Sequence, residues 1–203
     1  MTSEAVRHFK KGDIVIFPTD TLYGIGCVLS NEKSIEKLYA LRKTPLSKPT
    51  PILTASLDQA SLYGKFDRTA ASIAKTFWPG ALTIVVKARK TVPEIIQGET
   101  GTIGIRVPKF TWLGNLIQSV GEPIVASSAN LHGRSTPISF AQIDRKLLSL
   151  VDYAIDLANL DDFLPMLKKP STVVDLTKIP YQIVRVGALS EDKIKNMLGG
   201  SRK

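Results

Sequence analysis

The sequence holds few of the residues that build disulfides, metal centres and covalent catalysts. Its 203 residues include one cysteine and two histidines, so an internal disulfide is excluded and a metal cluster of cysteine and histidine is not indicated. A single cysteine fits a reducing compartment without proving one. Cys27 lies in the apolar stretch GIGCVL, which is typical of a small buried hydrophobic residue rather than of a catalytic thiol.

Long apolar runs, repeats and low-complexity segments are also missing. No stretch approaches the roughly twenty apolar residues of a membrane-spanning helix, and the first residues, MTSEAVRHFKKGD, contain no apolar signal core. No linker is long enough to separate domains. We therefore expect a cytoplasmic protein with a single domain over residues 1–198 and a disordered tail over residues 199–203.

Positive charge is in excess. Lys and Arg total 27 against 18 Asp and Glu, which gives a formal net charge of +9. Such an excess keeps a protein soluble, and it also attracts polyanions such as nucleotides and RNA. The basic residues are spread along the chain and form no known RNA-binding motif. Direct binding of RNA or tRNA therefore stays one interpretation and simple solubility another.

The apolar pattern alternates between helix-like and strand-like segments. Helices are predicted over residues 4–11, 32–42, 68–77, 112–120 and 191–198, and Ser139 is predicted to cap a further helix that runs to Leu150. Strands are predicted over residues 13–17, 25–29, 52–54, 102–107, 123–126, 153–157, 171–176 and 181–186, with another inside WPGALTIVVKA. Several strands adjoin without an intervening helix. This order predicts an α/β fold in which a twisted, mixed β-sheet is flanked by helices.

Two polar segments follow buried strands. PTDTLYG, at residues 18–24, follows DIVIF, and SSAN, at residues 127–130, follows EPIVA. Hydroxyl, amide and carboxylate groups at the ends of buried strands are exposed on a rigid frame, as in many small-ligand sites of α/β proteins. Each segment alone could be a helix cap or a local turn. The two together favour a ligand site.

Six sequence strings occur in an order that resembles the YrdC-like family, whose best-known members are threonylcarbamoyl-AMP synthases. The strings are PTDTLYGIG, FWPGALTIVV, TIGIRVP, SSANLHG, PSTVVDLT and VRVG. With the strand DIVIF before the first string, they extend over residues 13–187, which is nearly the whole chain. The resemblance is to the short, single-domain form of the family, and it implies an α/β sheet that encloses a large basic cleft.

The resemblance implies a reaction of L-threonine, bicarbonate and ATP that yields threonylcarbamoyl-adenylate and pyrophosphate, with Mg²⁺ accompanying ATP. It also implies separate partner proteins that transfer the threonylcarbamoyl group to adenosine 37 of tRNA. Such a reaction needs the carbamate of the amino acid held in line with the α-phosphorus, and positive charge around the phosphates. It needs no covalent nucleophile, so the lack of a catalytic triad or a Walker loop does not count against it.

The resemblance also assigns roles to residues. Threonine would be bound by Thr21, Arg106, Ser128 and Ser171, with the guanidinium of Arg106 suited to the carboxylate. ATP would be bound by Thr44, Lys48, Thr102, Asn130 and Arg185, and the catalytic residues would be Arg42, Lys48 and Asn130, with no metal ligands in the protein. Alternatives stay open: Ser171 and Thr102 could be ordinary strand residues, Arg185 a surface arginine, and Tyr23 a core residue.

The basic loop departs from the family pattern. Where the family has K-x-R-P, this chain has Arg42-Lys43-Thr44-Pro45. Arginine in place of lysine keeps the charge but changes its shape, whereas threonine in place of arginine removes a cation from the phosphates. We expect Lys43 or, in preference, Lys48 to substitute for it. A YrdC-like paralogue that binds nucleotide or RNA (double-stranded RNA or tRNA) without efficient adenylate synthesis is the alternative function.

One further departure lies in the second polar segment. His132 stands where the family has the serine of S-x-N-x-S-G. The imidazole could donate to a phosphate, but we expect it to lie in solvent.

Overall fold

A computed structural model describes residues 2–160 and 166–199 of the chain. The helices are α1 (Thr2–Lys11), α2 (Glu32–Arg42), α3 (Leu57–Ser61), α4 (Arg68–Phe77), α5 (Thr111–Val120), α6 (Arg145–Leu148) and α7 (Glu191–Gly199). The strands are β1 (Val15–Phe17), β2 (Gly24–Val28), β3 (Ile52–Leu53), β4 (Gly64–Lys65), β5 (Leu82–Ala88), β6 (Thr102–Arg106), β7 (Ile124–Ser128), β8 (Tyr153–Ala154), β9 (Thr172–Asp175) and β10 (Gln182–Arg185). Short 3₁₀ helices occupy Glu94–Ile96, Phe140–Gln142 and Leu157–Asn159.

The strands form one twisted, mixed sheet. Its order is β10-β9-β5-β6-β3-β7-β2-β1-β8, with β4 paired to β5 outside this path. The pairs β1–β8, β3–β6 and β5–β9 are parallel, and the other pairs are antiparallel. The predicted α/β fold with a mixed sheet flanked by helices is confirmed.

The two faces of the sheet have different partners. On β5, the residues Leu82, Ile84 and Val86 are buried in the main hydrophobic cluster, to which α2, α4 and α7 also contribute. Thr83 and Val85 point to the opposite face, because side chains alternate along a strand, and both line a cleft there. The alternation in β5 therefore separates the core from the cleft.

A second hydrophobic cluster covers the rest of the cleft face. Helices α1 and α5 supply Phe9, Leu113 and Ile117, which lie in one buried cluster with Phe17 of β1 and Val28 of β2. Since these helices cover the β1, β2, β3 and β7 region, the uncovered half of the same face, over β5, β6, β9 and β10, is left as the floor of the cleft.

Helix boundaries that carry strong capping residues match the prediction. The side chains of Asn31 and Asp67 accept hydrogen bonds from the first turns of α2 and α4, as N-cap residues do. Helix α2 ends at Arg42 because Lys43 adopts a left-handed conformation with φ of 55°. Both helices therefore have the predicted bounds, 32–42 and 68–77.

The predicted helix from Ser139 to Leu150 is wrong. Ser139 makes no capping hydrogen bond, and the chain forms only the 3₁₀ turn before Ile143, whose backbone is extended. Asp144 then starts a new helix, α6, because its carboxylate accepts from the amide of Lys146 at 2.8 Å. The capping carboxylate and the extended residue before it divide the segment in two.

Smaller differences concern strand ends and short elements. The predicted strand 153–157 stops at Ala154, since Asp156 caps the 3₁₀ turn that follows. Strand β7 runs on to Ser128, so the serines of the second polar segment are strand residues. Helix α3 and strand β4 were not predicted. Helix α7 ends at Gly199, and the remainder of the predicted tail lies outside the described residues. No helix within the described residues is long and apolar enough to cross a membrane.

Candidate active-site cleft

The exposed half of the sheet forms the floor of a cleft of about 750 Å³, a volume typical of small-ligand sites. Its wall continues from Ser127 of β7 to Arg42 at the carboxyl end of α2. The charged residues that line it are Arg42, Lys48, Asp175, Arg106 and Arg185. Four cations against one carboxylate make the cleft basic, as expected.

Arg106 anchors the floor of the cleft. It is 5% exposed and its guanidinium donates to Asp20, which is 3% exposed, to the hydroxyl of Thr21 at 2.8 Å and to the carbonyl of Gly80 at 2.9 Å. Burial lowers the pKa of Arg106, and the charge of Asp20 opposes that effect. Three of the five N–H groups of the guanidinium are thus engaged, and the others are left for a ligand.

The first polar segment is fixed by its own hydroxyls. Thr19 donates to the carbonyl of Leu22 at 2.7 Å and accepts from the amides of Thr21 and Leu22 at 3.1 and 3.2 Å, which uses its hydrogen and both lone pairs. The Thr21 hydroxyl lies 2.9 Å from that of Thr19 and accepts from Arg106. Because Thr21 lines the cleft, it presents a fixed hydroxyl to a bound ligand.

Ser171 and Arg185 meet at the opposite wall. The guanidinium of Arg185 donates to the carbonyl of Ser171 from Nε at 3.1 Å and from Nη2 at 2.9 Å, and Nη2 also donates to its hydroxyl at 3.2 Å. Burial and the positive charge of Arg106 both lower the pKa of Arg185. Two guanidinium groups close enough to repel each other favour an anion between them. Arg185 is exposed on the edge strand β10, as the alternative of a surface arginine expects, but its guanidinium also contacts Ser171 and lines the cleft.

Arg42 braces the second polar segment. It is 6% exposed and donates to the carbonyl of Asn130 at 3.0 Å, to the amide oxygen of Asn130 at 3.4 Å, to Ser127 Oγ at 2.8 Å and to Thr44 Oγ1 at 3.2 Å. Burial lowers its pKa to about 10. No carboxylate in the described part of the chain pairs with it. Arg42 is thus a buried cation with neutral partners and one free N–H.

Asn130 is also fully engaged. Its amide nitrogen donates to the carbonyls of Leu131 at 3.1 Å and Arg134 at 2.6 Å, and its oxygen accepts from Ser128 and from Arg42. Asn130 therefore holds the shape of this loop, and a direct contact with a nucleotide would require one of these bonds to be exchanged. Ser128 lines the cleft with its hydroxyl already donated to Asn130.

The residues of the basic loop differ in burial and in whether they line the cleft. Thr44 is buried against Arg42, and Lys43 is exposed at the end of α2. Lys48 is exposed and lines the cleft, while its carbonyl accepts from Tyr39 at 2.9 Å. Lys48 is thus the loop lysine that lines the cleft, and its role as substitute for the missing cation stays a prediction.

The remaining residues that the sequence analysis considered differ in burial and position. Thr102 lines it and shares a 2.7 Å hydrogen bond with Thr100. Tyr23 packs in the core and also lines the cleft. His132 is exposed, as expected. Cys27 is fully buried, and burial raises its pKa to about 12, which fits a small buried hydrophobic residue rather than a catalytic thiol.

Metal ligands are not gathered in the described residues: no group of three or more His, Cys, Asp or Glu side chains there could hold an ion. The one carboxylate lining the cleft, Asp175, accepts through Oδ1 from the amide and the hydroxyl of Thr177. Hydroxyl groups line much of the remaining wall. This donor set suits the oxygen atoms of a polar ligand rather than a metal cage built by the protein alone.

Three residues of the site gained no role from the sequence. Asp20 neutralises Arg106, Ser127 accepts from Arg42, and Thr83 shares a 2.8 Å hydrogen bond with Ser171. The signal for Thr83 is a hydroxyl within an apolar strand, on the face opposite the core. Asp20 and Ser127 lie within the two polar segments, but their partners are 85 or 86 positions away along the chain, and spacing does not reveal such pairs.

Comparison with known proteins identifies the family of the chain. A family model named for Sua5, YciO and YrdC, described as "Telomere recombination", matches residues 7–187. The chain is 31% identical over 199 residues to a threonylcarbamoyl-AMP synthase of Pyrococcus abyssi, which covers 98% of this chain and 57% of the relative. It is also 30% identical over 189 residues to an uncharacterized protein, YciO, of Escherichia coli, covering 92% and 89% of the two chains.

Solved structures agree with the sequence matches. The crystal structure of P. abyssi Sua5 complexed with L-threonine superposes with a TM-score of 0.90 at 30% identity, over 98% of this chain and 57% of that chain. The crystal structure of E. coli YciO superposes with a TM-score of 0.81 at 30% identity, over 92% and 88% of the two chains. This chain thus spans little more than half the length of its Pyrococcus relative. The matched residues, the order of the motifs and the fold together show that the chain belongs to the Sua5/YciO/YrdC family.

Proposed function

We propose that the protein is an L-threonylcarbamoyl-adenylate synthase, which forms threonylcarbamoyl-AMP and pyrophosphate from L-threonine, bicarbonate and ATP. The observation that carries the proposal is the meeting of Arg106 and Arg185 with the hydroxyls of Thr21 and Ser171 in one basic cleft. The family has a relative named threonylcarbamoyl-AMP synthase and a structure of Sua5 with L-threonine, which supports this reaction over others.

The amino-acid end of the cleft is proposed to lie between Arg106 and Arg185. A carboxylate between two guanidinium groups receives charge-assisted hydrogen bonds, and it relieves the repulsion by Arg106 that adds to burial in lowering the pKa of Arg185. Thr21 offers a hydroxyl nearby, which can pair with a polar group of the amino acid such as its hydroxyl or nitrogen. Ser128 lies on the adjoining strand and completes the predicted set.

The nucleotide end is proposed to lie toward the basic loop. Lys48 supplies a mobile ammonium and Arg42 one free N–H, so both can approach the phosphates, while Thr44 serves to hold Arg42. Thr102 and Asn130 stay predicted contacts on the same wall. Magnesium enters as the MgATP substrate, because Mg²⁺ is usually bound by phosphates with one or two carboxylates rather than by a protein cage.

The proposed chemistry needs positioning and charge. Threonine and bicarbonate combine to a carbamate with loss of water, a carbamate oxygen attacks the α-phosphorus, and the bond to the leaving pyrophosphate breaks. Cations around the phosphates stabilise the charge that develops there, which is a large contribution to such reactions. In this proposal the cleft supplies the cations and holds the amino acid, and the reaction proceeds without a covalent intermediate on the protein.

The test is release of pyrophosphate from MgATP by the purified protein. We expect release that depends on both L-threonine and bicarbonate, with no release from L-valine, which lacks the hydroxyl. Release that ignores threonine would contradict the proposal. Transfer of the product to tRNA would fall to separate proteins, so addition of tRNA alone should leave the rate unchanged.

A second function is favoured by Thr44. The family pattern has an arginine there, and the chain is as similar to the uncharacterized YciO as to the synthases. A protein with the same basic cleft could bind a nucleotide or RNA, such as tRNA or double-stranded RNA, without efficient synthesis. Its signature would be RNA binding that weakens steeply with salt, together with no threonine-dependent turnover.

A further inference from the structure

The hydroxyl of Thr83 contacts that of the predicted threonine-binding residue Ser171, and both residues line the cleft. The two Oγ atoms are 2.8 Å apart, and both residues are buried. Thr83 belongs to β5, while Ser171 lies just before β9, the parallel neighbour of β5. Parallel pairing of Thr83 with Val173 fixes the distance between these two residues, so the contact is a product of the sheet rather than of a mobile loop.

Hydrogen-bond accounting shows what a bond donated by Thr83 would leave on Ser171. Arg185 Nη2 donates to the hydroxyl oxygen of Ser171 at 3.2 Å. A hydroxyl has one hydrogen and two lone pairs. If Thr83 donates the second bond to Ser171, both lone pairs of Ser171 are used and its only hydrogen is free. Because Ser171 lines the cleft, that hydrogen then points to a ligand oxygen beside Arg185.

The backbone around Ser171 is held as firmly as its hydroxyl. A side chain at Gly187 would place its Cβ 2.1 Å from the carbonyl oxygen of Pro170 and 2.6 Å from that of Ser171, so only glycine allows this close approach. Gly187 also donates its amide to Thr172 at 2.8 Å. With the backbone fixed, Thr83 and Arg185 decide where the Ser171 hydroxyl points.

We infer that Thr83 is a positioning residue for the amino-acid substrate: it donates to Ser171 and so turns the Ser171 hydroxyl into a donor toward an anionic oxygen of that substrate. The inference rests on the proposed function, because it assigns the ligand of this wall as an amino acid. Thr83 acts through Ser171, so its loss should weaken binding of the amino acid and leave binding of ATP unchanged.

The closing experiment uses an isosteric pair of variants. Thr83→Val keeps the shape and removes the hydroxyl, while Thr83→Ser keeps the hydroxyl, and Ser171→Ala removes the partner. Calorimetry measures L-threonine binding without turnover, and steady-state rates give KM for threonine and for ATP. We expect Thr83→Val to weaken threonine binding and raise its KM about tenfold, with KM for ATP unchanged and Thr83→Ser within about twofold of wild type.

The double variant separates positioning from direct contact. Thr83→Val in the Ser171→Ala background should add no further loss, because the path through Ser171 is already removed. A further loss there, or normal binding by Thr83→Val alone, overturns the positioning role while wild-type threonine binding leaves the proposed function standing. Failure of the wild type to bind threonine would instead overturn both. Urea unfolding of each variant confirms that the folded protein is compared.

Discussion

The guanidinium of Arg42 holds Asn130 by both its main chain and its side chain, at 3.0 and 3.4 Å. These residues are 88 positions apart and carry the basic loop and the second polar segment. The pair ties the two motifs that face the proposed nucleotide end. Arg42 therefore serves first as a brace, and its remaining N–H is what it can offer to a phosphate.

Replacement of Arg42 by lysine keeps the charge and removes the fork of donors. We expect Arg42→Lys to lower the free energy of unfolding by about 1–3 kcal/mol, since several acceptors of a buried site lose their donor. Urea unfolding measures this. Arg134→Lys, at an exposed residue of the same loop, is the matched control and should be neutral. Equal stability of Arg42→Lys and wild type would show that the brace is unimportant.

Restoring the family arginine at position 44 should not raise activity. Thr44 is buried and accepts from Arg42 at 3.2 Å, so Thr44→Arg removes an acceptor and adds a second cation in the same space. We expect lower stability and no gain in pyrophosphate release. Thr44→Val, which removes only the acceptor, controls for the lost hydrogen bond. An increase in threonine-dependent release by Thr44→Arg would mean that this chain lacks a needed phosphate contact.

Asp20 neutralises a buried arginine, and its loss should be costly. Asp20→Asn keeps the shape and leaves Arg106 as an unpaired buried charge, for which we expect about 3–5 kcal/mol of destabilisation. Asp67→Asn is the control, because asparagine is an equally good N-cap at that exposed position. Denaturant unfolding of both variants decides the matter. A loss below about 1 kcal/mol in Asp20→Asn would mean that water or a ligand screens Arg106.

An anion should stabilise the protein through the cleft cations. Saturating pyrophosphate or MgATP should raise Tm, since binding at about 100 times Kd contributes about 2.7 kcal/mol, or about 5–10 °C in a domain of this size. Sodium chloride at matched ionic strength is the control. Lys48→Met should reduce the shift, whereas Lys65→Met, at an exposed lysine outside the cleft, should not. A shift equal in all three proteins would place the anion elsewhere.

The thiol should be inert in the folded protein. Because burial raises the pKa of Cys27 to about 12, only about one thiol in ten thousand is ionised at pH 8. We expect no reaction with a disulfide reagent at pH 8 until denaturant is added, after which one thiol reacts. Rapid labelling of the native protein would show that β2 opens readily to solvent.

Local signals explain what the sequence predicted well. Helices α2 and α4 begin after Asn31 and Asp67, and their bounds follow from those caps. The β-branched run of β5 gives a strand for the same local reason. The helix predicted from Ser139 failed because Ile143 is extended and Asp144 competes as a cap, and apolar spacing does not register either feature.

The residues of the site could be predicted from the sequence, but the hydrogen bonds between them could not. The motifs point to Thr21, Ser128 and Ser171, all of which line one cleft. The partners behind them depend on which strands lie side by side in the sheet. Thr83 meets Ser171 because β5 pairs with β9, a contact between residues 88 positions apart. Spacing along the chain does not indicate that Thr83 and Ser171 are neighbours, so such hydroxyl pairs can be identified only from the folded sheet.

The most direct test of the account is the pyrophosphate assay on the wild-type protein, with L-threonine and bicarbonate each present or omitted. We expect release from MgATP only when both are present. Release of pyrophosphate without threonine would contradict the proposed synthase. An absence of release, with nucleotide or RNA still bound tightly, would also contradict it and would favour a binding protein with the same cleft.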